Sequence, residues 1–464
     1  MNVSRWVATI VFFATSVLMG CGAGEPAYQP AFSNDTTTWF DDVLPLVQTY
    51  CLGCHQEGGN TPMVFDTYEN VRPFAAAMRL AVASRTMPPY YMINDGSCGD
   101  FTSPWLTESE INVFVNWAED GYLEGNPADA PPPFVPSEGL GSEATSFTMN
   151  EPYTPVVFGN SDAPKDDYRC FVLSEGQDKD VFVTALESVA SDPKLVHHVI
   201  AYTLDPDKIV ALDEQGVAIT NREVIDELQA DDERPGWQCY GSTGEGTSPN
   251  SQLGAWLPGA GPMRLPAGSG ISWRGGEWLV VQLHYNLDNG PGEDQSSVRM
   301  ILADEVEKQG FFVIPDGLFQ TLGLGDPFVI EPGEESVFFQ WVGTAQELTE
   351  FIQDHYPTYF DPIPTAFEIL AVQPHMHALG ASYNVQLREG ATGTPQCITN
   401  MDQWDFNWQH LYFYETPQYM GPNHQAVVTC EYNSTGRTEP TYPGVDAENE
   451  MCLFTMFFTP TRER

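Results

Sequence analysis

The stretch Glu277-Trp-Leu-Val-Val-Gln-Leu-His-Tyr285, continued by Asn286-Leu287, decides the fold class. Its β-branched and aromatic residues favour an extended chain, in which side chains two apart share a face. Val281, Leu283 and Leu287 therefore fall on one side, which reads as the core, and Gln282, His284 and Asn286 on the other, which reads as outside it. Asp180-Val-Phe-Val-Thr-Ala and Phe367-Glu-Ile-Leu-Ala-Val have the same character. From residue 143 onward, short apolar or alternating runs are divided by Gly, Pro, Asn and Asp, the texture of antiparallel β-sandwiches. So much sheet exceeds one ordinary sandwich of roughly 100 residues. The chain is therefore expected to be mainly β, with two jelly-roll-like antiparallel β-sandwich domains over 146–305 and 306–464. Asp213 to Asp232 is the exception and predicts a helix.

The preceding residues change period. Trp39 to Val47, Val71 to Ser84 and Leu106 to Trp117 are spaced as helices, the last opened by a capping-box pair, Thr107 and Glu110. They predict a small all-α domain over 39–127, followed by a stiff Pro-rich linker at 128–145 containing Pro131-Pro132-Pro133. Residues 21–38 are small and polar, a tether. Residues 1–20 read as a lipoprotein signal: Arg5, an apolar run from Trp6 to Met19, and the lipobox-like Leu18-Met-Gly-Cys21. That run is too short for a confident membrane span. Cys21 is the expected lipidation site, its acyl chains anchoring an exported protein to a bacterial cell envelope membrane, on its periplasmic or cell-surface face.

With 64 acidic against 19 basic residues, the formal charge of -45 repels nucleic acid, which is excluded as a partner. A hydrophobic content of 42%, with 12% aromatic, excludes a disordered acidic chain. Apart from Cys21, Cys51 and Cys54, six cysteines remain: Cys98, Cys170, Cys239, Cys397, Cys430 and Cys452. In an oxidising compartment an even remainder favours disulfides.

Cys51-Leu-Gly-Cys54-His55 is a haem c attachment motif: two thiols to bond the porphyrin and an imidazole for the iron. Met87, in Arg85-Thr-Met-Pro-Pro, is the candidate for the opposite iron ligand, with Met63, Met78 and Met92 as competitors. Together with Thr67-Tyr-Glu-Asn-Val-Arg-Pro-Phe, these residues make 39–127 resemble a small class I cytochrome c module.

Five of the nine histidines fall in three short clusters, His197-His198, His284 and His375-x-His377, and Met451 lies near the end. His375 and His377 share a strand face and can reach one metal, whereas His197 and His198 diverge unless a bulge re-aims one ring. Imidazole accepts zinc, copper, iron or nickel, and a thioether selects copper. His355, His410 and His424 lie outside these patterns and read as structural or surface residues.

The order Leu195-Val-His-His-Val, Trp256-Leu-Pro-Gly-Ala-Gly-Pro-Met, Val281-Gln-Leu-His-Tyr, Pro374-His-Met-His-Ala-Leu-Gly and Cys430-Glu-Tyr-Asn-Ser-Thr-Gly-Arg-Thr-Glu to Glu450-Met-Cys resembles the copper type II, ascorbate-dependent monooxygenase family. The resemblance implies two coppers per chain facing across a cleft. His197, His198 and His284 would hold the electron-supplying copper. His375, His377 and Met451 would hold the catalytic one, which meets O2 and hydroxylates a C–H bond of a small organic substrate. It also implies disulfides Cys170 to Cys239 and Cys430 to Cys452, and leaves Cys98 and Cys397 either paired with each other or free. Gln373 stands where peptide-processing members carry a carboxylate-binding arginine, and Thr455 where they carry a tyrosine, which disfavours a glycine-extended peptide. The expected activity is thus a dicopper monooxygenase, an oxidoreductase acting on paired donors. Ascorbate or a redox protein is the expected electron donor, and the fused haem is expected to feed the three-histidine copper. The competing readings are a haem and copper electron-transfer or copper-holding protein without hydroxylase activity, and a binding module with structural zinc.

Overall fold

A computed structural model describes residues 36–57, 59, 61–135, 139–157, 166–230, 232–239, 242–256, 261–287, 290–313, 328–356, 360–406, 408–444 and 449–463. The predicted signal segment and Cys21 lie outside these residues.

The described chain is mainly β, with few helices. A nine-stranded sheet runs in the order Thr145–Thr148, Ser297–Ala303, Val181–Val189, Ser269–Trp273, Lys308–Val313, Leu453–Thr461, Ala366–His375 and Tyr412–Met420, with Met263–Arg264 pairing Val181–Val189 off this path. A five-stranded sheet, Trp237–Gln238, Asp166–Ser174, Trp278–Asn286, Val196–Leu204 and Ser251–Trp256, packs on its first half. A four-stranded sheet, Val337–Thr344, His424–Tyr432, Gly380–Glu389 and Gln396–Met401, packs on its second half. Two apolar cores result. One gathers Val199, Val281 and Leu283 against Val183, Ile271 and Met300, and the other gathers Val385, Leu387 and Val428 against Phe311, Ile369 and Phe458.

The long sheet is continuous across both halves because Lys308–Val313 hydrogen-bonds to each. It pairs with Ser269–Trp273 in parallel (Ile271↔Gly310), a departure from the antiparallel expectation, and with Leu453–Thr461 antiparallel (Phe312↔Phe457). Leu370, Ala371 and Phe457 from the second half accordingly pack into the core of the first.

Strand Trp278–Asn286 departs from the alternation read in its sequence. Gln282 and His284 are buried, as are the residues on the opposite face. The second face is covered by a small layer comprising Trp237, Ile225 and the Cys170–Cys239 disulfide, and Gln282 donates to Ser242 O at 2.7 Å. Ile225 belongs to the helix Asn221–Ala230, which occupies only the later part of the span predicted helical. A hairpin, Ile209–Leu212 with Ala218–Thr220, precedes it.

The helical segment has its own core: Trp39, Val43, Val47, Val71, Met78, Phe114 and Trp117 among others. The capping box forms at Thr107 and Glu110 and starts the helix Glu108–Glu119. Pro73, which lacks an N–H, sits in a tight 3-10 turn, Arg72–Phe74, between the helices Tyr68–Val71 and Ala75–Ala83. A helix unforeseen in the sequence, Ala345–His355, opens with a second capping box, Thr344 and Glu347. Disulfides join Cys98 to Cys397, Cys170 to Cys239 and Cys430 to Cys452. No helix among the described residues is long and apolar enough to cross a membrane.

At the joint, a Cβ added to Gly310 would overlap the ring of Phe457. Gly310→Ala is expected to cost about 1–3 kcal/mol by overpacking, seen as a lower denaturation midpoint. An unchanged midpoint would show that the joint has slack.

Candidate metal centre

Two adjacent strands bring His197, His198 and His284 together. His284 lies opposite His198 in the ladder between Trp278–Asn286 and Val196–Leu204, and the register slips by one at this point, so that Tyr285 pairs with Val196 and His197 is the extra residue. The bulge re-aims His197 toward the same point. Its Nδ1 lies 3.1 Å from His284 Nδ1, which lies 3.3 Å from His198 Nδ1. Nitrogens about 2 Å from one ion would lie roughly 3–4 Å apart, so the trio has the spacing of a metal's ligand set. One possible ligand atom from each of the three residues lies within 4.8 Å of the other two.

The surroundings suit neutral, oriented imidazoles. Burial pushes His197 below the ordinary histidine value, and pushes His198 and His284 well below it, with neighbouring imidazoles adding to the effect for the latter two. Neutral rings are the ligating form. Tyr168 stacks on His284 with centroids 4.0 Å apart. Asp166 Oδ1 stands 3.2 Å from His284 Nε2, a charge contact without hydrogen-bond alignment.

The second pair sits at a strand end. His375 closes strand Ala366–His375 and pairs with Leu453, and its ring stands 5.1 Å from that of His377, at right angles. His375 Nδ1 donates to Gln409 Oε1 and His377 Nδ1 to Asn449 O at 3.0 Å, so each ring carries its lone pair on Nε2. Met451 lies two residues before Leu453, opposite His377 if the antiparallel ladder is extended, and is buried beside Leu453. Glu450 makes that alignment. Fully buried, its carboxylate accepts from His377 N at 2.8 Å, Leu379 N at 2.6 Å and Met451 N at 3.3 Å. Burial raises Glu450 to about 7 despite these bonds. Burial, then the like charge of His377, pushes His375 down to about 4. His375 in turn lowers His198, so the two histidine groups lie within electrostatic range of each other. Gln373 and Thr455 are direct cross-strand partners on the same ladder.

In the helical segment, Cys51 and Cys54 are outside the disulfides, and His55 N donates to Cys51 O at 2.9 Å. His55 Nδ1 donates to Met63 O at 2.9 Å, and its ring stacks on Phe65 at 4.2 Å, so the ring's lone pair lies on Nε2. This donor set fits an axial iron ligand beside two thiols. Met87 is partly buried and lines a crevice with Val82, Tyr90 and Trp105, and no described contact joins it to His55. Of its competitors, Met63 is exposed, Met78 packs in the helical core, and Met92 is fully buried in the core of the second half of the fold. His410 is buried, and His424 accepts from Gly421 N in a turn. Sequence reasoning did not find Asp166, Tyr168, Gln409 or Glu450. Only Glu450 carried a signal, a charge placed directly before the candidate ligand Met451 in a buried apolar run.

Residues 356–464, which include His375, His377, Glu450 and Met451, match the family described as Copper type II ascorbate-dependent monooxygenase, C-terminal domain. The chain is 25% identical over 214 residues to DBH-like monooxygenase protein 1 of Homo sapiens, covering 44% of this chain and 32% of that protein. Dopamine beta-hydroxylase of Canis lupus familiaris is 25% identical over 214 residues (45% and 32%). Peptidyl-glycine alpha-amidating monooxygenase A of Xenopus laevis is 26% identical over 233 residues (48% and 21%). The chain spans a third or less of the length of these relatives.

Glu450→Gln keeps one acceptor and turns an N–H toward a buried N–H, leaving a donor unmet at roughly 1–3 kcal/mol. The variant should denature earlier and bind less copper per chain by elemental analysis, and full copper loading would refute the clamp. The buried ring of His410 is held at about 4, below the ordinary 6.5. The unfolded chain therefore takes up its proton first, and the stability this neutral ring preserves above pH 6.5 is lost as pH falls toward 4, by about 1.4 kcal/mol per unit. Denaturation of copper-free protein across that range should show a shallower slope for His410→Phe.

Proposed function

We propose that the protein is a copper-dependent monooxygenase that hydroxylates a C–H bond of a small organic substrate with O2, with electrons supplied by ascorbate or a redox protein and through a fused haem c. The observation that carries this reading is the convergence of three neutral imidazoles, one buried and two half-buried, on one point, beside a second imidazole pair whose Nε2 lone pairs are fixed by Gln409 and Asn449. His197, His198 and His284 would hold one copper, and His375, His377 and Met451 the other. Bound there, copper supplies one-electron redox chemistry and a site for O2, the thioether favouring the cuprous state.

The chain's own residues prepare both sites. Burial keeps the imidazoles unprotonated at neutral pH, so no proton has to leave when metal binds. Tyr168 stacks on His284, and Gln409 orients His375. Glu450 ties the backbone of His377 to that of Met451, holding thioether and imidazole on one ladder end. Gln373 and Thr455 present an uncharged pair on the strands that carry His375 and lead from Met451, which favours an uncharged or amine-bearing substrate over a peptide carboxylate. Cys51 and Cys54 would attach the haem and His55 would bind its iron, with Met87 as the proposed opposite ligand. Residues 1–20 would direct export and lipidated Cys21 would anchor the protein to a bacterial cell envelope membrane.

Met451→Ala should abolish substrate-dependent O2 uptake and the +O product found by mass spectrometry, while haem absorbance and the copper at the three-histidine site persist. Unchanged turnover would overturn the assignment.

A further inference from the structure

The helical segment does not meet the sheets by the Pro-rich linker alone. Residues 84–102 run onto the second half of the fold and are fixed there: Cys98 is disulfide-bonded to Cys397, and Met92 and Phe101 are buried in that core. Ile93 N donates to Asn400 O, Thr102 N to Phe413 O, and Glu415 N to Asp100 O, at 2.8–2.9 Å. Within this junction Tyr90 stacks on His410, with centroids 4.7 Å apart, and Trp408 lies parallel to the same imidazole at 6.2 Å. Gln409, between Trp408 and His410 in the chain, accepts from His375 Nδ1. On its other side Tyr90 lines one crevice with Met87, and the Cys54 sulfur is close enough to add to the burial that raises the Tyr90 hydroxyl to about 12. His410 Nε2 is buried with no hydrogen-bond partner among the described residues. Such an atom costs stability, and is kept where a site serves something other than packing.

Resting on the reading above, we propose that Tyr90 and His410 form the contact through which electrons pass from the haem held by Cys51, Cys54 and His55 to the copper held by His375, His377 and Met451. Electrons then enter at this copper, not at the three-histidine copper that the sequence alone suggested. In each event one ferrous haem becomes ferric and one cupric ion becomes cuprous. A single electron moves, no bond forms or breaks, and the haem is reduced again by a one-electron donor of the ascorbate class. Packed rings and bonded atoms carry a tunnelling electron better than an open gap, and the disulfide holds this path at fixed length. Tyr90 and His410 are positioning residues, since neither is a proposed metal ligand.

The test uses the full chain matured with haem and copper. Flash-generated flavin semiquinone reduces the haem, and reoxidation of its absorbance is followed together with loss of the cupric resonance. A fast phase is expected in the unmodified protein, in Tyr90→Phe, which keeps the ring, and in His284→Ala, which removes the other copper. It should be lost in Tyr90→Leu and His410→Leu that retain full haem and copper. A fast phase surviving in both leucine variants, or vanishing in His284→Ala while the second copper remains, overturns the route and leaves the monooxygenase reading standing. If either leucine variant fails to fold, the His284→Ala result decides alone. Mature protein without covalent haem absorbance overturns the haem reading itself, before any kinetics.

Discussion

Strand Lys308–Val313 is the joint on which both histidine groups depend. Its backbone bonds to Ser269–Trp273 on one edge and to Leu453–Thr461 on the other, so one ladder of hydrogen bonds runs through both halves of the fold. A backbone ladder is short-ranged and directional, and a slip of one residue would turn every side chain to the opposite face. The relative placement of the two sandwiches is thereby fixed by covalent geometry and hydrogen bonding rather than by a pliable interface. His198 and His375, on separate sheets, can consequently stand within electrostatic range of each other without any direct bond between their strands.

Both sites bring several imidazoles close together in a buried place, which is tolerable only while the rings are neutral. Charge there would meet both desolvation and repulsion from its neighbours, and the depressed values of His198, His284 and His375 reflect the two effects together. The supporting groups differ with the local backbone. At the three-histidine cluster a bulge does the aiming, and Tyr168 stacks on one ring. At the strand end no further ladder is available, so a buried carboxylate, Glu450, takes the place of the missing strand by accepting the N–H groups of His377 and Leu379. An acid in that position resists protonation only as far as its backbone donors outweigh desolvation, which explains a value raised to about 7.

Much of this could be read locally. The alternation in Glu277 to Asn286 gave the strand and the side chains on each face, and Thr107 with Glu110 gave a helix start to the residue. The need for a bulge at His197-His198 followed from strand geometry alone, because neighbours diverge unless the register slips, and it does slip there. Thr344 and Glu347 carry the same helix signal as Thr107 and Glu110, but within sequence whose surroundings have the period of sheet. The burial of Gln282 and His284 is not legible locally, since alternation tells which residues share a face but not whether a second layer covers it.

The amino-acid sequence by itself determined the period of each segment, the ligand-type residues and their faces, and the motif at Cys51 to His55. These rest on contacts within a few residues, where backbone geometry leaves little choice. Tertiary structure alone decided that Cys98 pairs with Cys397, that Glu450 clamps His377, that Gln409 orients His375, and that Tyr90 rests on His410. Each of those joins residues tens to hundreds of positions apart, and no local preference encodes which distant groups the packed sheets will bring into contact.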